Sequence, residues 1–299
     1  MRDLVILMLI TIALAWCADH VAFGPVKHNR RQRLIVCTVV IIILLAGFAG
    51  LRTRCNDTAT YRYSYKLLTE KLWEASDKSI GSNPLFNWVN YRLKMHGVST
   101  QNFLMFWAFL TVGCYFIFVH KYSVNYPLTI FLLFVTGCYT FAFAGIKQAA
   151  AVGISVIATM FALKKKWLLF AAGILIAALI HPYSLMYLSV PFMAFKPWTK
   201  ITYWMLAAFI AAGFLLRPLL GTVVNITTLL GEEYTVSSFT GDGVNMFRVL
   251  VCNVPMVLSF LYRKKLFADS SEAENLAMNL TMLNGAIMFD GLFGTANYF

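Results

Sequence analysis

Long apolar runs alternating with short basic clusters constrain this chain more than anything else in its sequence. Clusters at Lys27–Arg33, His120/Lys121, Lys164–Lys166, Lys196/Lys200 and Arg263–Lys265 separate stretches that carry little or no charge. Several of those stretches approach the roughly 20 residues a helix needs to cross a bilayer. Hydrophobic residues make up 60% of 299 positions and charged residues 13%, which is outside soluble-domain usage. A transmembrane barrel is excluded because its short alternating segments are absent. We therefore expect an all-α fold: one transmembrane domain over 1–299, built as a polytopic helical bundle of about nine or ten spans. The spans are drawn at 4–20, 34–51, 103–120, 125–143, 145–163, 167–181, 183–195, 201–217, 243–262 and 275–296.

Placing the basic clusters of the short loops in the cytoplasm puts the N-terminus outside, together with segments 52–102 and 218–242. The first segment, Leu4–Cys17, lacks a small-residue cleavage site and is expected to be a retained helix. Residues 167–195 are a continuous apolar stretch broken by His181-Pro182-Tyr183-Ser184, too short for two full spans. Pro182 and the required return of Lys196 to the inside favour two shortened helices meeting at a sunken turn. One long tilted helix is the alternative, and it would invert everything downstream. Within 52–102, Tyr61, Tyr65, Leu68 and Leu72 recur at helical spacing and predict an interfacial helix; Pro84–Asn90 begins a second amphipathic piece. Segment 218–242 carries Gly231-Glu232-Glu233-Tyr234 and the turn-forming Gly241-Asp242-Gly243.

Net charge is +12, but much of it sits in loops flanking apolar spans, so it does not point to nucleic acid. The six cysteines, Cys17, Cys37, Cys55, Cys114, Cys138 and Cys252, have no metal-ligand spacing and read as small hydrophobes. His20, His28, His96 and His120 form no spaced set with His181, so no metal site is expected. Neither a P-loop nor a dinucleotide fingerprint is present, and no cofactor is called for.

A second polar set, Arg52, Arg54, Asp57, Lys147, His181, Arg217, Glu232 and Glu233, falls on the face opposite the basic clusters. The run Gly50-Leu51-Arg52-Thr53-Arg54-Cys55-Asn56-Asp57-Thr58-Ala59-Thr60-Tyr61 resembles the Arg, Asp, Tyr stretch that comes after an early span in the EpsG family. Gly145-Ile146-Lys147-Gln148 stands where that family usually has an Arg-Gln pair opening a helix. His181-Pro182-Tyr183-Ser184 resembles its His-x-x-Ser element, and Leu292–Phe299 a late family segment. The resemblance covers nearly the whole chain. Related proteins continue towards another helix beyond the position of Phe299, so the chain is expected to be either a short member or a C-terminally truncated copy.

EpsG proteins are exopolysaccharide polymerases related to the Wzy type of O-antigen polymerase. The resemblance implies a GT-C-like, metal-independent glycosyltransferase in the bacterial inner membrane, making a surface polysaccharide such as a capsule. Its donor and acceptor would be undecaprenyl-pyrophosphate-linked oligosaccharides joined at the external face, among membrane lipids, alongside a flippase and a chain-length regulator. The pyrophosphate leaving group would supply the energy.

Each polar residue also has a plainer reading. Arg52 and Arg54 either snorkel at a helix end or grip a pyrophosphate, whose oxygens match the guanidinium fork. Asp57 either neutralises or orients one of them, or hydrogen-bonds a sugar. Lys147 precedes Gln148 and the small residues Ala149–Ala151, which permit close helix approach. An ammonium there needs an anion, supplied by a salt bridge or by phosphate. His181 is a structural group, a general base or an acceptor-binding residue. Arg217 adds a fourth cation at an external helix end. Glu232 and Glu233 lie in a solvated loop or act as the base for the acceptor hydroxyl. Asp290, inside the last apolar segment, must be paired or protonated. Tyr61, Tyr183 and Tyr234 are the aromatics best placed to stack on sugar rings. A transporter would call for inverted repeats, and none stands out; a membrane acyltransferase would have only His181 to offer.

Overall fold

The computed structural model describes residues 2–20, 30–68, 83–229 and 244–292, and among these every regular element is helical. Contacts divide the chain into two compact units, Met1–Leu185 and Met186–Phe299.

In the first unit the helices are α1 Arg2–His20, α2 Arg30–Leu51, α3 Thr58–Leu67, α4 Pro84–Met95 and α5 Thr100–Tyr122. After them come α6 Tyr126–Val135, α7 Cys138–Ala144, α8 Ile146–Ala162 and α9 Trp167–Ile180. Helix α5 is the axis of this unit, packing against both α2 and α8. Ser99 caps it by accepting the Asn102 N–H, and His120 and Lys121 occupy its last turn, where cations suit the helix dipole. Among the described residues α5 is the one single helix long and apolar enough to cross a membrane. Helices α6 and α7 meet that test only as a pair bent by 45°. The break falls at Gly137, whose φ of +83° is a conformation that residues with a Cβ resist. The apolar run drawn as one span over 125–143 is thus a broken segment. Helices α8 and α9 are shorter apolar helices.

Of the amphipathic pieces expected within 52–102, α3 carries Tyr61 and Tyr65 and has Leu68 at its C-cap, α4 starts at Pro84, and Leu72 lies outside the described residues. Tyr65 stacks on Phe103 of α5 with ring centroids 4.3 Å apart, and its hydroxyl donates to the Val98 carbonyl at 2.9 Å. The indole N–H of Trp107 on α5 donates to the buried Asn90 of α4, also at 2.9 Å. These contacts belong to a hydrophobic cluster that also includes Phe86, Ile146, Ala150 and Ile180, with Tyr61 packed against it.

Helix α9 stops at Ile180, and His181 is extended at φ −155°, ψ 117°. The long tilted helix is therefore not the one that forms. The next segment, Pro182–Met193, is 3-10 rather than α-helical and contains Pro191, which lacks the N–H an α-helical bond requires.

The second unit contains α10 Lys200–Leu229, α11 Met246–Leu261, the short α12 Arg263–Leu266 and α13 Glu272–Gly291. Helix α13 packs against α10 and α11 and opens on a reciprocal capping box between Ser271 and Glu274. Its buried Asp290 lies directly against Gly213 of α10: a Cβ on that glycine would sit 2.2 Å from the carboxyl carbon. The side-chain amide of the fully buried Asn279 donates to the carbonyls of Met193 and Phe195, each at 2.7 Å. Pro218, expected to open an external segment, lies inside α10, which continues to Leu229. A proline removes a single N–H and tends to bend a helix, and here the apolar run simply goes on past it.

Candidate functional site

Where α2 ends, its last carbonyls have no partner within the helix, and side chains supply them. Arg52 Nη1 donates to the Ala49 carbonyl, and Gln101 Nε2 of α5 donates to the Gly50 carbonyl. Gln101 is itself held by Arg62 of α3, whose Nη1 donates to Gln101 Oε1 at 2.8 Å. The turn leading into α3 places two non-glycine residues at positive φ, Cys55 at +135° and Asn56 at +38°. Such backbone persists only where its surroundings enforce it. The Cys55 carbonyl accepts the Thr58 N–H at 2.9 Å, which starts α3.

That turn carries the buried Thr58 hydroxyl back to Arg52, whose Nε–H donates to Thr58 Oγ1 at 2.9 Å. The guanidinium lies over the Phe143 ring of α7, 5.7 Å from its centroid. Nη2 is buried with no hydrogen-bond partner among the described residues. Burial lowers the Arg52 pKa from its ordinary value, opposed by Cys55, Tyr139 and Tyr61. An arginine pKa is high enough that the group stays charged. Arg54 and Asp57 lie exposed in the same turn; Thr58 and Ala49 hold Arg52, and Asp57 does not.

Phe143 also ties Arg52 to the junction between α7 and α8. Gly145 is the N-cap of α8 and offers no side-chain cap, and the positive end of the helix dipole lies beside it. Gln148 folds over that glycine, and a Cβ there would come 2.5 Å from Gln148 Oε1. Lys147 is half-buried in the first turn, and Ala149–Ala151 behind it are fully buried.

His181 is 4% exposed. Its Nδ1 faces Asn83 Oδ1 at 3.4 Å, and the Tyr183 ring meets it edge-on at 4.9 Å. Its backbone N–H donates to the Ala177 carbonyl at 2.8 Å, closing α9. Tyr61 meets Phe86 edge-on at 6.0 Å. Ile146, next to Lys147, and Ile180, next to His181, belong to the hydrophobic cluster against which Tyr61 packs. Arg52 is held against Ala49 and Phe143, which belong to a second hydrophobic cluster, whereas Tyr61 packs against the first and His181 meets Tyr183 and Asn83. Arg217 lies on α10 in the second unit, with its side chain outside the described set; Glu232, Glu233 and Tyr234 lie outside the described residues. No group of three or more His, Cys, Asp or Glu able to hold a metal occurs among the described residues.

Sequence reasoning did not single out Thr58, Gln101, Phe143 or Asn83. Asn83 had a usable signal, since an Asn-Pro pair is a helix-start pattern. Thr58 had none: its reach to Arg52 depends on two unusual φ values that no local pattern reveals.

Residues 35–296 match the EpsG family. The chain belongs to the EpsG family. The match includes every site residue named above, and membership brings an exopolysaccharide-polymerase type of function and the character of a membrane protein. No curated protein and no solved structure matches this EpsG-family chain.

Proposed function

We propose that this EpsG-family protein polymerises undecaprenyl-pyrophosphate-linked oligosaccharide repeats at the external face of the bacterial inner membrane, as a polytopic, GT-C-like glycosyltransferase. The observation that carries the reading is the Arg52 guanidinium, fixed by Thr58 and the Ala49 carbonyl, with its buried Nη2 unpartnered among the described residues. A buried charged donor without a partner is costly, and a pyrophosphate oxygen is the chemistry that answers it. Lys147 adds a point charge at the start of α8, with Gln148 beside it.

In the reaction the acceptor hydroxyl attacks the anomeric carbon of the donor sugar. The bond from that carbon to the diphosphate oxygen breaks, and the electron pair leaves on the pyrophosphate. Arg52 and Lys147, with Arg54 as a further cation, stabilise that developing charge. The acceptor proton passes to a base, with His181 and Asp57 as the candidates in the first unit. Tyr61 and Tyr183 provide faces on which sugar rings stack.

The direct test is reconstitution of the full chain in liposomes with purified lipid-linked donor and acceptor, reading product length. Polymer is expected, and its rate is expected to survive excess EDTA, because cationic side chains take the role a divalent ion would otherwise fill. Complete loss restored by one particular divalent ion overturns the cation-only account. Topology has its own test: in a cysteine-free background, Ser64→Cys on α3 is expected to label from outside, and Val124→Cys, between α5 and α6, only from the cytoplasm. The reverse pattern removes the site from the face this function requires.

A further inference from the structure

We propose that Thr58 is a positioning residue for Arg52, fixing the plane of the guanidinium so that Nη2 faces the phosphate. The inference rests on the function proposed above and adds to it the element that aims the charge. An arginine side chain at a helix end normally samples many rotamers, and holding one of them requires contacts on several sides. Three are present here. The Thr58 hydroxyl accepts from Nε at 2.9 Å, the Ala49 carbonyl accepts from Nη1, and the Phe143 ring lies under the guanidinium at 5.7 Å. Nη2 is the guanidinium nitrogen without a partner among the described residues.

Of these contacts, the one from Thr58 can be removed without disturbing a helix backbone or the aromatic core. Thr58 is itself 0% exposed, so it is a fixed acceptor and not a mobile surface hydroxyl. It is set in place by the turn at Cys55 and Asn56, whose positive φ values bring the first residue of α3 back over the end of α2. The strained turn thus has a purpose: it carries an acceptor to Nε across six positions of sequence.

Binding of undecaprenyl pyrophosphate to the full chain in nanodiscs tests this. Thr58→Val keeps the shape and removes the acceptor, and is expected to weaken binding about tenfold, the scale of one hydrogen bond to a charged group. Thr58→Ser keeps the hydroxyl and is expected to bind nearly as the unaltered chain does. Thr58→Ala, which fits within the space of threonine, gives the same reading if valine is not accommodated. The deciding measurement is Thr58→Val in an Arg52→Lys background, where it is expected to add nothing, since the group it aims is gone. An equal loss in both backgrounds marks a purely structural threonine and overturns the inference. Normal binding by Thr58→Val alongside impaired Arg52→Lys overturns it too, while leaving the proposed function standing. Normal binding by Arg52→Lys overturns both.

Discussion

Arg52→Lys is expected to lose polymer formation by about 30- to 1000-fold although it keeps the positive charge. Arginine answers two directions here, Thr58 through Nε and Ala49 through Nη1, and Nη2 is the donor proposed to meet the phosphate. A lysine places one compact ammonium at the end of a flexible stem, and its donors do not reproduce a planar fork. The range corresponds to roughly 2–4 kcal/mol of transition-state stabilisation, the scale for removing a donor from a site shielded from water. Lys147→Arg is expected to be tolerated better, since arginine is the usual residue at that place in the family the sequence resembles. Neutralising Lys165, in the basic cluster assigned to the cytoplasmic side, is expected to alter insertion or yield more than turnover. The measurement is polymer formed per correctly inserted protein. Normal turnover in both Arg52→Lys and Arg52→Ala, with a loss in the Lys165 variant at equal expression, would place the chemistry on the wrong face.

Gly50→Val is expected to destabilise the first unit by about 1–3 kcal/mol, the usual range for overpacking. A Cβ at Gly50 would lie 2.6 Å from Met105 Sδ and 2.8 Å from Met105 Cα. The sulfur can swing aside, but the Cα moves only if α5 moves away from α2. That displacement also pulls Gln101 from the Gly50 carbonyl and disturbs the end of α2 that carries Arg52. Turnover therefore falls together with stability. Gly47, one turn earlier on the same helix, is the control, because a Cβ there meets nothing within 4 Å. Gly47→Val is expected to be tolerated, so the comparison removes the general effect of placing valine in this helix. Thermal unfolding in detergent checks both variants; equal stabilities would show that the α2–α5 approach at Gly50 is not a constraint.

Much of this architecture is legible in the residues. The tyrosine stripe at 61 and 65 and the Pro84 start announce α3 and α4, because apolar spacing and a proline at a helix start act locally. The His181-Pro182 break is legible for the same reason. Elsewhere, local chemistry is outweighed by its surroundings. Pro218 looks like an end, yet α10 runs through it. The run 125–143 looks like one span, yet Gly137 takes a left-handed φ and bends it.

The sequence by itself determined that this is an all-helical membrane protein with cations set apart from its basic loops, since apolar length and charge placement are properties of the chain alone. It also singled out Arg52, Lys147 and His181 as candidates, each the polar exception beside an apolar run. Only the tertiary structure decided how Arg52 is held. Its partners Thr58 and Phe143 lie on α3 and α7; a strained turn brings the first, and the packing of Tyr139 and Phe143 against Leu45 and Phe48 of α2 brings the second. Such contacts depend on the mutual placement of helices, which hydrophobic periodicity does not encode.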